Sequence, residues 1–171
     1  EYIGYSGVGT FDQTGGANKA NYLYLGYSSR GVGAYALREA GNLTITMEYI
    51  GYSGVGTFKH NADANKAKYL YLGYNLTGVG TYELSETGRL SSDVQYIGFR
   101  GNGTFNQNGG TNTVAGKLTI SYLPGTSHGT YNLNGGTLMA ASVVNNDRFN
   151  YSGGNLNADV INNSAGTVNV S

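Results

Sequence analysis

The carboxylates are the first residues in this chain that could do chemistry. Glu1 and Glu48 lie 47 residues apart, and Gln95 repeats the interval once more. Glycoside hydrolysis needs two acids facing one bond, roughly 5 to 9 Å apart. Were the chain coiled, two coils at about 4.8 Å each would set Glu1 and Glu48 about 9.6 Å apart. The coil between them is expected to place Asn21 or Ala20 in that column, and no second acid converges on either glutamate. Catalysis needs a converging group with a perturbed pKa, so the acids point away from an enzyme.

The other candidate groups are read as structural. Gly-x-Gly pairs can cradle phosphate, but that use needs a following helix and usually a Lys-Ser/Thr. Here each pair precedes a strand pattern and recurs at every repeat, which assigns it to a corner. His60 and His128 have no His, Cys or carboxylate at ligand spacing and are read as surface turn residues. Asp63 with Asn61 and Asn65 is too sparse for a calcium loop, and the Gly-Gly-x-Gly-x-Asp nonapeptide is absent. Thr10, Thr57, Thr81, Thr104 and Thr130 form a column broken by Ala34. Flat paired threonine ranks would suggest ice binding, whereas one column bordered by aromatics reads as β-propensity. No catalytic residue, metal site or cofactor is expected.

Bulk composition narrows the classes further. The chain has 171 residues, 29 of them Gly, with 16 Tyr, one Pro and no Cys. Ten basic residues balance ten acidic ones. Zero net charge argues against nucleic acid, whose phosphates demand a Lys/Arg excess, and against an anionic membrane surface. No apolar run approaches the roughly 20 residues of a membrane span. Without Cys there is no disulfide framework. A start at Glu1 rather than Met is read as a mature product or a segment of something longer.

What must position these groups is a repeat. EYIGYSGVGTF at 1–11 recurs unchanged at 48–58 and, worn to QYIGFRGNGTF, at 95–105. Each 47-residue unit is two related halves, since YIGYSGVGTF and YLGYSSRGVGAY share a start and a finish. Apolar residues alternate with period two, as in Leu23, Leu25 and Tyr27, and Gly-Gly, Ser-Gly and Asn-Gly signals break the runs. That is a strand signature. Three short strands with three turns account for one coil of a parallel β-solenoid.

The expected fold is therefore all-β, a parallel β-solenoid of about seven to eight coils, each of roughly 18–26 residues. Residues 1–171 form one solenoid. Two double-coil repeats fill 1–94, a degenerate third fills 95–134, and shorter coils fill 135–171. Stacking makes ladders. Phe11, Tyr35, Phe58, Tyr82, Phe105, Tyr131 and Phe149 form the aromatic core ladder, followed by Val168. Ile3, Leu25, Ile50, Leu72, Ile97 and Ile120 form an aliphatic one. A third joins Tyr5, Tyr27, Tyr52, Tyr74, Phe99 and Tyr122. Gly9, Gly33, Gly56, Gly80, Gly103 and Gly129 mark a corner where a side chain would collide or φ must be positive.

The C-terminal stretch carries a likeness. Its Gly-Gly-x-Leu units at 135–138 and 153–156, with NNSAGTVNV, resemble the β-strand repeats of large bacterial surface proteins. These include autotransporter passengers and secreted proteins with PEP-CTERM sorting tails. The YIGYSGVGTF units resemble a longer-coil relative of the same kind. The resemblance implies secretion, a right-handed solenoid, an extracellular or cell-surface location, and adhesive or scaffolding work.

Two functions from different classes follow. In one, the chain polymerises head to tail. Neither EYIGYSG nor GTVNVS resembles a cap, so Glu1, Tyr2 and Ile3 would meet Val168 and Val170 of another copy. In the other, the chain is a segment of an adhesin stalk that binds cell-surface glycans. Tyr2, Tyr24, Tyr49, Tyr71 and Tyr96 should point opposite to the aliphatic ladder; either they stack on one another and stabilise the sheet, or they form an outer stripe for subunits or sugar rings. Were inside and outside exchanged, the Tyr5 ladder would take that role.

Overall fold

The computed structural model describes residues 1–61 and 63–171. The strands are β1 (Tyr2–Ile3), β2 (Val8–Gln13), β3 (Ala17–Leu25), β4 (Val32–Leu37), β5 (Asn42–Ile50), β6 (Val55–His60) and β7 (Ala64–Leu72). They continue as β8 (Val79–Leu84), β9 (Arg89–Ile97), β10 (Asn102–Ile120), β11 (His128–Asn145), β12 (Arg148–Tyr151), β13 (Asn155–Asn162) and β14 (Thr167–Val170). Every pairing between them is parallel, and each strand lies on its equivalent one coil away. One wall stacks β2, β4, β6, β8, the start of β10, the start of β11, β12 and β14. The long strands β3, β5, β7 and β9 build the rest of the coil and carry the chain up to the next one. The fold is a parallel β-solenoid. Among the described residues no helix is long and apolar enough to cross a membrane.

Two glycine columns make the coil close. Gly4, Gly26, Gly51, Gly73 and Gly98 hold positive φ at the turn leaving the aliphatic ladder, and Ser121 (φ 58°) takes that place in the sixth coil. The corner glycines are required by space alone. A Cβ on Gly33 would sit 2.1 Å from the Ile3 carbonyl oxygen, and one on Gly80 2.0 Å from that of Ile50. The first column throws out an arm, Tyr5–Gly7 in the first coil and Tyr122–Ser127 in the sixth. Past Asn145 the chain turns through Asn146 and Asp147 directly into β12, without an arm. Six turns thus share the full cross-section, and those that follow are shorter.

The aromatic core ladder forms as expected. Between Tyr35 and Tyr131 successive rings stack 4.7–4.9 Å apart and within 7° of parallel. Order loosens at both ends, with 36° between Phe11 and Tyr35 and 48° between Tyr131 and Phe149. Phe11 is 44% exposed, since none of the described coils lies beneath it. Each stacked pair adds about 0.5–1.5 kcal/mol to the burial of its rings.

Three further core columns alternate coil by coil, while the aliphatic ladder stays apolar throughout. In the first, third and fifth coils the aromatic is Phe, and these three columns hold polar groups: Glu1, Gln13 and Asn18; Glu48, His60 and Asn65; Gln95, Gln107 and Asn112. In the second, fourth and sixth coils it is Tyr, and the same columns hold Leu23, Leu37 and Leu43; Leu70, Leu84 and Leu90; Leu118, Leu133 and Leu138. All of these leucines, and Glu48, His60, Asn65, Gln95, Gln107 and Asn112, are buried. A unit of structure is therefore two coils, 47 residues.

Candidate functional site

Two parts of the molecule concentrate functional groups, the buried polar layers and the outer tyrosine ladders. The polar layers arise because each even-coil tyrosine stacks on a phenylalanine and carries its hydroxyl over the polar trio of the coil before. In the fifth coil, Asn112 Nδ2 donates to Tyr131 Oη (3.0 Å), and Tyr131 Oη donates to Gln107 Oε1 (2.5 Å). Gln107 Nε2 then donates to the Thr137 carbonyl at 2.9 Å. Gln95 and Asn112 exchange two bonds, Gln95 Nε2 to Asn112 Oδ1 at 2.8 Å and Asn112 Nδ2 to Gln95 Oε1 at 3.0 Å. Buried polar groups have to be paired, and here the pairing is a closed circuit.

The third coil repeats the circuit with two changed groups. Asn65 Nδ2 donates to Tyr82 Oη (3.2 Å) and to Glu48 Oε2 (3.0 Å). His60 replaces the second glutamine, with Nδ1 2.8 Å from Tyr82 Oη and Nε2 3.1 Å from the Asp63 carbonyl. Matching atoms to the fifth coil assigns Nδ1 as the acceptor of the tyrosine hydroxyl and Nε2 as the N–H donor. In the first coil Asn18 Nδ2 reaches Glu1 Oε2 (3.2 Å) and Tyr35 Oη (3.3 Å), and Tyr35 donates to Gln13. Burial raises the Tyr35 phenol to about 12 and pushes Tyr82 and Tyr131 well above the usual phenol range. Burial also raises Glu48 to about 7, against the lowering effect of its bond from Asn65.

These positions correct two expectations, the residue between the glutamates and the place of His60. Asn21 and Ala20 do not fill the glutamate column. Leu23 pairs with Glu48, Leu70 follows it, and Tyr2 opposite Tyr24 sets Glu1 against Leu23. Glu48 points into the core with no exposed surface, so it cannot face a substrate beside Glu1. His60 is not a surface turn residue but a buried member of the circuit. His128 is at the surface, 3.6 Å from Asp147. Asn65 faces the core, while Asp63 accepts from Asn42 on the outside, so that triplet diverges. No group of three metal-ligating side chains forms among the described residues.

Outside, Tyr2, Tyr24, Tyr49, Tyr71 and Tyr96 stack in register at 4.8–5.1 Å. The Tyr5, Tyr27, Tyr52, Tyr74, Phe99 and Tyr122 ladder is also outside. Its rings stack at 4.7–5.1 Å, and its edges meet the first ladder at close to a right angle, as in Tyr71 against Tyr74 at 90°. The two possible stripes are one double ladder. Its ring faces cover one another, and Tyr49 is only 8% exposed, whereas Tyr2 at the end is 55% exposed. Burial, reinforced by neighbouring phenols, raises the pKa of Tyr24, Tyr49, Tyr71 and Tyr96. The ladder ends where Thr119 follows Tyr96.

Of the expected end-to-end residues, Tyr2, Val168 and Val170 are exposed and Ile3 is buried. Val168 lies in the column of Phe11 and Ile3 in that of Asn145, so a copy stacked in column would not set Glu1, Tyr2 and Ile3 against Val168 and Val170. A groove of about 400 Å³ runs across the long strands, lined by Lys19, Thr44, Lys66, Lys68, Ser91 and Thr113 among others. Its signal in the sequence is the return of Lys19 as Lys66 after 47 residues. Compared with protein-family models, curated proteins and solved structures, the chain matches none.

Proposed function

We propose that this chain is a non-enzymatic structural element of an extracellular fibre, joined head to tail through the open faces of its coils. The observation that carries the reading is the state of those faces. Among the described residues β2 pairs with β4 alone and β14 with β12 alone. The outer edge of each presents a row of backbone donors and acceptors in the register of a further coil, which another strand can take up. Around them Val8 and Phe11 at one face and Val168 and Val170 at the other are exposed, Val170 by 74%. A second copy set in column would lay Val168 against Phe11 and Thr167 against Thr10, continuing two ladders. Such a contact does not close on itself and makes a filament. The bacterial surface-repeat resemblance, autotransporter-like or PEP-CTERM-like, supports the extracellular placing.

Electron microscopy and sedimentation across concentrations test it. Fibres with an axial repeat near a multiple of about 4.8 Å are expected, and Phe11→Asp or Val168→Asp should abolish them. Monodisperse monomers at high concentration would refute it.

The alternative, an adhesin stalk, is favoured by the double tyrosine ladder. Because the ring faces are taken, sugars would be held by the exposed ring edges and hydroxyls. Glycan binding that disappears in a Tyr24→Ala, Tyr49→Ala, Tyr71→Ala variant would support it, and unchanged binding would remove it.

A further inference from the structure

We propose that Glu48 is held in the folded protein as the neutral acid, its proton donated to Asn65 Oδ1, and that loss of this proton is a pH-set weak point between the third and fourth coils. Three observations carry this. Glu48 Oε1 and Asn65 Oδ1 are both buried acceptors without a partner. Both hydrogens of Asn65 Nδ2 are spent, one on Glu48 Oε2 and one on Tyr82 Oη, so Asn65 cannot turn its amide round to help. The equivalent pair two coils on shows what belongs between the two oxygens. There Gln95 Nε2 donates to Asn112 Oδ1 at 2.8 Å, while Asn112 Nδ2 divides its hydrogens between Gln95 and Tyr131. A proton on Glu48 Oε1 reproduces that bond atom for atom, and a carboxylate leaves two lone pairs facing each other in the core.

The surroundings keep the proton in place. Leu23 of β3 and Leu70 of β7 sit below and above Glu48. The titratable groups facing it are Tyr35 of β4, Tyr82 of β8 and, through the Tyr82 hydroxyl, His60 of β6. The tyrosines are held protonated by burial, and His60 Nδ1 lies 2.8 Å from the Tyr82 hydroxyl rather than against the carboxyl. Desolvation acts in the same direction, raising the Glu48 carboxyl to about 7.

Glu48→Gln is the direct test, since Gln95 already works in the equivalent place. Urea unfolding of both proteins is followed from about pH 4 to 9. Between the unfolded and folded titration points the wild-type unfolding constant, relative to Glu48→Gln, should rise up to tenfold per pH unit and then level. Parallel pH profiles would overturn the proposal. An infrared difference spectrum of wild type minus variant near pH 6 gives a second readout on the intact fold. A protonated-carboxyl band that fades as pH rises is expected, and a carboxylate band already present at that pH would overturn it.

Discussion

Removing one oxygen, in Tyr82→Phe, should destabilise the solenoid far more than a change that keeps the ring usually does. Tyr82 stacks between Phe58 and Phe105, 4.9 Å from each, so phenylalanine fits the ladder without a cavity. What goes is the hydroxyl that accepts from Asn65 Nδ2 and donates to His60 Nδ1. Each buried group that loses its bond costs about 1–3 kcal/mol. Two such groups give about 2–6 kcal/mol, a large share of the roughly 5–15 kcal/mol that holds an ordinary domain together. Urea denaturation followed by circular dichroism measures it. The opposite swap, Phe58→Tyr, keeps the stack too but sends a hydroxyl toward Leu37 and Leu43, and should cost about 1–3 kcal/mol for an unpaired buried hydroxyl. A Tyr82→Phe protein within about 0.5 kcal/mol of wild type would refute the claim that the alternate layers are closed hydrogen-bond circuits.

Gly80→Ala should prevent folding or cost several kcal/mol, because its Cβ would lie 2.0 Å from the Ile50 carbonyl oxygen, a backbone atom with no room to yield; loss of the β spectrum in circular dichroism reads it. For Glu48 the folded value lies above the unfolded one, so its stability contribution is complete below about pH 4.5 and is lost as pH rises through about 7. At about 1.4 kcal/mol per unit this makes Glu48→Gln gain about 3 kcal/mol on wild type between those limits. The tyrosines follow the same sign at higher pH. With Tyr24, Tyr35, Tyr49, Tyr71, Tyr82, Tyr96 and Tyr131 all raised, an alkaline absorbance titration of the native protein should show those phenols ionising above the usual phenol range, and the fully buried Tyr82 and Tyr131 only as the fold is lost. A full sixteen-tyrosine step near pH 10 with the fold intact would contradict their burial.

The ladders were legible because like stacks on like, and equal intervals in the sequence become columns in space. Phe11 to Phe149, Ile3 to Ile120 and the glycine corner are read directly from spacing. The glutamate column was not, for a definable reason. Along β3 the inward residues are Asn18 and Ala20, then Leu23 and Leu25, so the chain shifts its facing by one residue as it bends between the two walls. Counting by twos from either side misses Leu23, and with it the alternation of Glu with Leu. His60 was recoverable. It lies two residues beyond Phe58, in the column of Gln13, Leu37, Leu84 and Gln107, and its inward parity was hidden by its place at the end of a strand. The double tyrosine ladder was legible as two stripes, but their mutual packing was not, because the arm that turns one against the other depends on positive φ at Gly26 and its equivalents.

The alternation also explains why the repeat is 47 residues when the coil is about half that. A solenoid of identical coils would be satisfied by any register, since a slip of one coil places leucine on leucine and ring on ring. Here a one-coil slip would set Tyr82 over Leu84-type neighbours and strand the Glu48, His60 and Asn65 trio against leucines without its hydroxyl. Buried polar groups of this kind add little net stability and are best attested as register devices. Only a two-coil step restores every bond. The sequence therefore keeps two kinds of coil, repeated, and preserves the acceptor–donor order even where the residues differ, as Gln107 gives way to His60 and Gln95 to Glu48. That last exchange is the weak one. It retains the shape of the amide pair but makes its second bond depend on a proton, which ties the register of the third and fourth coils to pH.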